Sequence, residues 1–250
     1  MAARPLLITG TDTGIGKTTI ASGIAAALRR RGHDVGVIKP VETGCEPGPD
    51  GALVAADAVQ LRWAAGRDDP LDRICPYRLR DPLAPSVAAR REGIRLELAA
   101  VADCVRRATA GCELALVEGA GGLLVPLSES ATFADLARAC GLRLVVVIGN
   151  RLGAINHARL TLDWARAGDL DVAGYIINTL QHEPDLAART NVEVLGEILG
   201  PPLGVFPFVG PVTRSDAGRA RLADAAEQSI DLAALIAPAG VRPQGRRSRY

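Results

Sequence analysis

The sequence predicts a single α/β domain with a mostly parallel central sheet and helices on both faces. Short β-branched or leucine-rich runs alternate with longer stretches of helical period, the pattern of βα units around a buried parallel sheet. No Pro/Gly linker and no internal repeat divides the 250 residues. The runs also end in polar or glycine-rich residues, and ligands of open α/β sheets bind outside those carboxyl ends.

The first run, 6–9, is Leu6-Leu7-Ile8-Thr9, and it leads into Gly10-Thr11-Asp12-Thr13-Gly14-Ile15-Gly16-Lys17-Thr18-Thr19, where a helix opens over 17–31. Strand, glycine-rich turn and Lys-Thr pair form a phosphate cradle, because backbone N–H groups and a positive helix end solvate an anion without bulky side chains in the way. Lys17 would neutralise β- and γ-phosphates, and the Thr18 hydroxyl would complete the shell of a magnesium ion. The common spacing puts glycine at position 11, where this chain has Thr11, with Gly10 one residue early. A glycine-rich turn that merely happens to carry a lysine is the alternative.

The second run, 35–39, ends on Lys39 and is followed by Pro40-Val41-Glu42-Thr43-Gly44. Apolar residues before Lys39 and a proline after it leave it little freedom, which suits a positioned cation in phosphoryl transfer; a solvated strand-end lysine is the alternative. Thr43 would donate to a bound anion or cap the turn. Asp57 lies in a helical stretch, 53–65, where periodicity leaves open a wet face or a site. The segments 44–51 and 70–85, rich in Pro and Gly, read as loops on the strand-end side.

After a helix at 96–110, the third run, 114–117, delivers Glu118 into Gly119-Ala120-Gly121-Gly122. A carboxylate there, beside a phosphate loop, is most useful as a magnesium ligand, directly or through water; capping is the alternative. A helix at 132–140 and a strand at 143–149 lead to Arg151-Leu152-Gly153-Ala154-Ile155-Asn156-His157, which opens a helix at 154–167. That N-terminus can receive a carboxylate or be an ordinary cap. The strand 172–177 ends at Asn178, whose amide edge can pair with a nucleobase or cap a turn. A helix at 186–199, a strand at 203–206 and a helix at 216–236 complete the pattern, and right-handed crossovers place the helices on both faces.

Composition narrows the function classes. With 29 basic and 28 acidic residues there is no broad field for nucleic acid or anionic lipid, so the expected partners are small molecules. No apolar run approaches the roughly 20 residues that span a bilayer, and the N-terminus shows no signal-peptide pattern, so a cytoplasmic location is expected. Five scattered cysteines without a C-x-x-C pair suit reduced thiols. His33, His157 and His182 lack zinc-ligand spacing.

Gly10-Thr11-Asp12-Thr13 with Gly16-Lys17-Thr18, Lys39-Pro40-Val41 with Thr43-Gly44, Val117 to Gly122, and Leu152 to His157 closely resemble the dethiobiotin synthetases, over about 6–209. Each motif occurs in other P-loop proteins; all of them in this order are specific. The resemblance implies a single-domain P-loop NTPase-type fold over 1–237, while the basic, Pro- and Gly-containing composition of 238–250 reads as a disordered tail. The resemblance also implies a homodimeric enzyme that uses Mg·ATP and CO₂ to close the cyclic urea of dethiobiotin from 7,8-diaminononanoate, through an N7-carbamate and a carbamic-phosphoric anhydride. Carried over by motif, Gly14, Ile15, Gly16, Lys17, Thr18 and Thr19 would bind the phosphates of ATP. Thr18, Asp57 and Glu118 would hold Mg²⁺ and so belong to the ATP site. Glu118, Gly119, Ala120 and Gly121, Asn178 with Thr179, and Pro207, Phe208 and Val209 would line the nucleotide. Lys39, catalytic together with Lys17, would hold the carbamate. Thr13 and Thr43 would contact the diamine, while Gly153, Ala154 and Asn156 would bind its remote carboxylate in the neighbouring subunit's site.

The chain departs from these relatives at Gly14, where they often carry a larger residue, and the correspondence fades after Val209. Two other readings share the loop. A cobyrinate-type amide synthetase would need a glutaminase module with Cys and His, which is not evident. A MinD- or ParA-like nucleotide switch carries an additional early lysine where Thr11 and Asp12 stand.

Overall fold

A computed structural model describes residues 5–237. In chain order the elements are β1 (Leu6–Gly10), α1 (Lys17–Arg30), β2 (Val35–Ile38), β3 (Val41–Thr43), β4 (Glu46–Pro47), β5 (Leu53–Val54), α2 (Ala56–Ala64), α3 (Leu71–Ile74), β6 (Tyr77–Leu79), α4 (Pro85–Arg91) and α5 (Leu98–Thr109). There follow β7 (Leu114–Gly122), α6 (Phe133–Cys140), β8 (Arg143–Asn150), α7 (Ala154–Ala167), β9 (Val172–Thr179), α8 (Leu186–Leu199), β10 (Gly204–Phe206), α9 (Asp216–Ser229) and α10 (Leu232–Ile236). The six apolar runs of the sequence form one sheet in the order β10-β9-β8-β1-β7-β2, with every adjacent pair parallel.

Side chains alternate across a strand with period two, and the core follows that alternation. Leu6 and Ile8 of β1, Leu114 and Leu116 of β7, and Val35 and Val37 of β2 pack with Ile20 and Ile24 of α1, Leu61 of α2 and Ala226 of α9. Leu7, Val117 and Ile38 point the other way, onto Val101 and Val105 of α5 and Phe133 and Leu136 of α6. On that second face Val146, Ile148 and Ile177 meet Ala158 and Leu162 of α7 and Leu195 of α8. The predicted two-faced covering is therefore present. Continuing the alternation to the strand ends, Lys39, Glu118 and Asn178 share the parity of Val37, Leu116 and Ile176, and all three project to the face that carries α1.

Several stretches differ from the sequence expectation, and β3 and α4 form where no element was expected. The helix expected at 53–65 begins only at Ala56, because Leu53 and Val54 pair antiparallel with Pro47 and Glu46. The 70–85 segment holds α3 and β6 rather than only loop, and β6 lies parallel to β3 with Val41 opposite Tyr77. These pieces of two to four residues are too short to show a period. The helix expected at 216–236 breaks at Ile230, which turns extended (φ −121°, ψ 134°) and bridges Gly204. The tail expected at 238–250 lies outside the described residues. All five cysteines are free, and among the described residues no helix is long and apolar enough to cross a membrane.

Candidate active site

The loop between β1 and α1 is shaped by its glycines. Gly14 and Gly16 have φ of +71° and +87°, the left-handed region where a side chain is strained. A Cβ on Gly16 would collide with Asn178 Nδ2, and that nitrogen donates to the Ile15 carbonyl at 2.8 Å. Asn178, which the sequence left between base reader and cap, is thus a strut that fixes the loop from the end of β9. Gly10 is needed for closeness: a Cβ there would meet Ile15 Cδ1 at 2.8 Å and Lys17 Cδ at 3.1 Å. The early glycine is therefore the place where the returning loop lies down on the strand that launched it. Gly16→Ala is expected to weaken ATP binding by one to two orders of magnitude, since a left-handed non-glycine residue costs about 1–3 kcal/mol before the clash with Asn178 is counted. Calorimetric titration with ATP measures this, and an unchanged Kd would contradict it.

Lys17 opens α1, is buried, and folds its Nζ back onto the Asp12 carbonyl at 2.8 Å. Burial pulls it below the usual lysine range; Glu118 opposes this and Lys39 reinforces it. Its neighbour Thr18 donates through Oγ1 to Glu118 Oε1 at 2.7 Å. The same oxygen accepts from Lys39 Nζ at 2.9 Å, and Lys39 also pairs with Asp57 Oδ2. Lys39 and Glu118 are 5% and 1% exposed, so this ammonium–carboxylate contact is fully taken out of water. Burial alone would lower the Lys39 pKa, but Glu118, Asp57 and Glu42 together raise it above the ordinary lysine value. Lys39 is a fixed cation, not a free amine.

Glu118 Oε2 is buried without a hydrogen-bond partner among the described residues. The Thr18 hydroxyl meets the other oxygen of Glu118, and the Glu118 and Asp57 carboxylates meet on Lys39, which brings three oxygen-bearing side chains together beside the loop. Magnesium takes such a hard oxygen set, usually with phosphate oxygens and waters completing it, so these residues fit a magnesium ion.

Asp57, which periodicity left open, stands in the first turn of α2. Sequence reasoning missed the residue that puts it there. Glu42, buried on β3, accepts from the N–H groups of Asp57 (2.9 Å) and Ala58 (3.0 Å), one on each carboxylate oxygen. Burial raises its pKa above the usual carboxylate value, against the pull of Lys39. The signal was present: α2 opens on Ala55, which has no side chain to cap it, so its cap has to come from elsewhere.

The remaining expected residues spread along the strand ends. On β7, Gly121 (φ +68°) and Gly122 bring the strand against the phosphate loop, with a Gly121 Cβ 3.4 Å from Thr13 Oγ1 and a Gly122 Cβ 3.3 Å from the Gly10 carbonyl. Gly119 is buried and Ala120 half-buried beside them. Thr13 is exposed, its N–H bonded to Asp12 Oδ1 at 2.7 Å, and Asp12 pairs with Arg151. Thr43 lies half-buried on β3, two residues beyond Val41. Phe206 is paired in register with Asn178, so Pro207, Phe208 and Val209 leave β10 beside the end of β9. Ala154 is buried, with its N–H on the Arg151 carbonyl at 3.1 Å, whereas Gly153 (φ +91°) and Asn156 are exposed at the start of α7. Asn191 of α8, also missed, holds this corner through Asn150 Oδ1 and the Arg151 carbonyl, both at 3.0 Å.

Lys17, Thr18, Lys39, Asp57 and Glu118 therefore form one cluster, with Thr13 and the β7 glycines along its loop side. Gly153 and Asn156 belong to the end of β8. Three sheet positions separate β8 from β2, or roughly 14 Å at 4.7–4.9 Å per strand.

A family model described as an AAA domain matches residues 4–213. The chain is 41% identical over 212 residues to the protein named ATP-dependent dethiobiotin synthetase BioD of Anaeromyxobacter dehalogenans, covering 84% of this chain and 93% of the relative. It is 37% identical over 238 residues to the protein of the same name from Thermodesulfovibrio yellowstonii, covering 92% and 97%. Among solved structures, a chain of the MinC:MinD cell division protein complex of Aquifex aeolicus shares the fold, with a TM-score of 0.54 at 18% identity over 98% of this chain and 99% of that one.

Proposed function

The chain belongs to the ATP-dependent dethiobiotin synthetase family, and from that premise we propose how its own residues carry the reaction. The activity is that of an ATP-dependent ligase, with ATP as co-substrate, which closes a cyclic urea on 7,8-diaminononanoate with CO₂. The observation that supports the assignment of roles is the buried Lys39 ammonium, bonded to Glu118 and Asp57 at the side of the phosphate loop. The fold shared with MinD says nothing about activity at 18% identity, and neither the switch reading nor the cobyrinate-type reading is favoured beside relatives at 41%.

One amine of the diamine adds to CO₂ and loses a proton, giving a carbamate. Lys39 holds its oxygens as a fixed positive charge, which suits an anion acceptor because an ammonium that does not lose its proton cannot itself capture CO₂. A carbamate oxygen attacks the γ-phosphorus of ATP and ADP leaves; the second amine then attacks the carbonyl carbon, phosphate leaves, and the urea ring closes. The protein's part is alignment and charge neutralisation, which needs no strong protein nucleophile. Lys17 moves from the Asp12 carbonyl to the β- and γ-phosphates, and the N–H groups of Gly14 to Thr19 cradle them. Thr13 and Thr43 contact the diamine. Thr18, Asp57 and Glu118 would hold Mg²⁺, which when bound offsets negative charge on the phosphate oxygens. Glu118 to Gly121, Asn178, Thr179 and Pro207 to Val209 line the nucleotide.

The diamine's carboxylate is received by Gly153, Ala154 and Asn156 of a second copy in a homodimer. Two features support this: the separation of that segment from Lys39 within one sheet, and the exposure of Leu152 (83%) and Leu160 (64%) beside it. The protein works in the cytoplasm on small molecules, without nucleic acid or membrane. ADP release by the purified chain with Mg·ATP is expected to require both diamine and bicarbonate. Release at the same rate with either one omitted would contradict the assignment.

A further inference from the structure

Glu42 is a buried carboxylate that the reaction as described does not use. It is 5% exposed and spends both oxygens on the first turn of α2, on the N–H groups of Asp57 and Ala58. Position 55, where a serine or aspartate would cap that helix locally, is Ala55, itself fully buried, so the helix takes its cap from a remote carboxylate. What the remote cap adds is a connection. Glu42 follows Lys39 by three residues, and the stretch between them is held at both ends: the Lys39 N–H donates to the Ile74 carbonyl at 2.9 Å, and β3 runs alongside β6. The same rigid stretch thus carries the ammonium and, through Glu42, the backbone of Asp57. The Asp57 side chain is 44% exposed, and an ion pair with a half-exposed partner does not by itself hold a side chain in one place. Its anchored backbone does.

We infer that Glu42 is a positioning residue that fixes the first turn of α2, so that Asp57 presents its carboxylate to Lys39 at the phosphate-loop side of the site. The inference rests on the proposed function for the reaction it serves, while its geometry stands independently. Glu42→Gln keeps the shape but leaves one N–H facing an amide that cannot accept it.

The test compares Glu42→Gln, Asp57→Asn and the double variant of the full chain, by ADP release with Mg·ATP, diamine and bicarbonate and by amide hydrogen exchange. Glu42→Gln is expected to lower kcat about 10- to 100-fold, the scale of a small misplacement near the chemistry, with little change in the KM for ATP. In the Asp57→Asn background the same substitution is expected to cost less than about threefold, because residues acting as one unit are not additive. Exchange at Asp57 and Ala58 is expected to quicken about tenfold or more, as a bond to a charged acceptor is lost. Equal losses in both backgrounds, or unchanged exchange at those amides, would overturn the inference. If Glu42→Gln does not fold by circular dichroism, Glu42→Asp, which retracts the charge by one methylene, carries the same comparison. Absence of diamine-dependent turnover in the unaltered chain would count against the proposed function, and the exchange measurement alone would then decide the role of Glu42.

Discussion

Lys39→Ala is expected to lower kcat by on the order of 10³ while the Kd for ATP moves by less than about threefold. The size follows from removing one preorganised charge from a dry site, where a single donor is worth about 10²–10³ in rate. The selectivity follows from position. Lys39 reaches Glu118 and Asp57 from the end of β2, whereas the cradle itself is built from β1, α1 and the strut Asn178. Alanine also leaves the Glu118 carboxylate buried beside Asp57 without its cation, and breaking a buried pair on one side typically costs about 3–5 kcal/mol of stability. Thermal unfolding should therefore be recorded with the kinetics, at an assay temperature where the variant is folded. Parallel loss of ATP binding and turnover would reassign Lys39 to the nucleotide site.

The sign of the Lys39 titration bears on that stability. Its folded pKa is raised above the unfolded value, so the pair stabilises the fold fully below the ordinary lysine range and loses that contribution only as pH climbs through the higher folded value. At neutral pH the stabilisation is complete.

Glu118→Gln is expected to raise the magnesium concentration needed for half-maximal ATP turnover by about 10- to 100-fold, the usual cost of disturbing a metal's ligand set, with kcat reduced as well. Glutamine still accepts from Thr18 but brings no charge to Lys39 and puts an amide where the unpartnered Oε2 stands. A magnesium titration of ATP binding, read by calorimetry without diamine, separates the metal from the chemistry. An unchanged magnesium dependence would remove Glu118 from the ligand set.

Much of this site was legible because it lies where two simple periodicities end. Alternation along β2, β7 and β9 decides that Lys39, Glu118 and Asn178 face α1, and the glycine-rich loop marks the proposed phosphate cradle. Asp57 was harder, since the start of α2 depends on a hairpin of two-residue strands, Glu46–Pro47 and Leu53–Val54, that no period reveals. Glu42 was hidden for a related reason: its partners are backbone N–H groups 15 and 16 residues away, and only the missing cap at Ala55 pointed to it. The corner held by Asn150 and Asn191 depends on how α8 packs against the end of β8, which is tertiary information that local sequence does not carry.

That carbon from CO₂ ends in a ring closed at the side of this phosphate loop is the outcome the proposed function requires. It is tested most directly by incubating the protein with Mg·ATP, 7,8-diaminononanoate and labelled bicarbonate, then acidifying. Label is expected in an acid-stable product that accumulates mole for mole with ADP. Label that stays volatile, while ATP is hydrolysed whether or not diamine is present, would contradict the account.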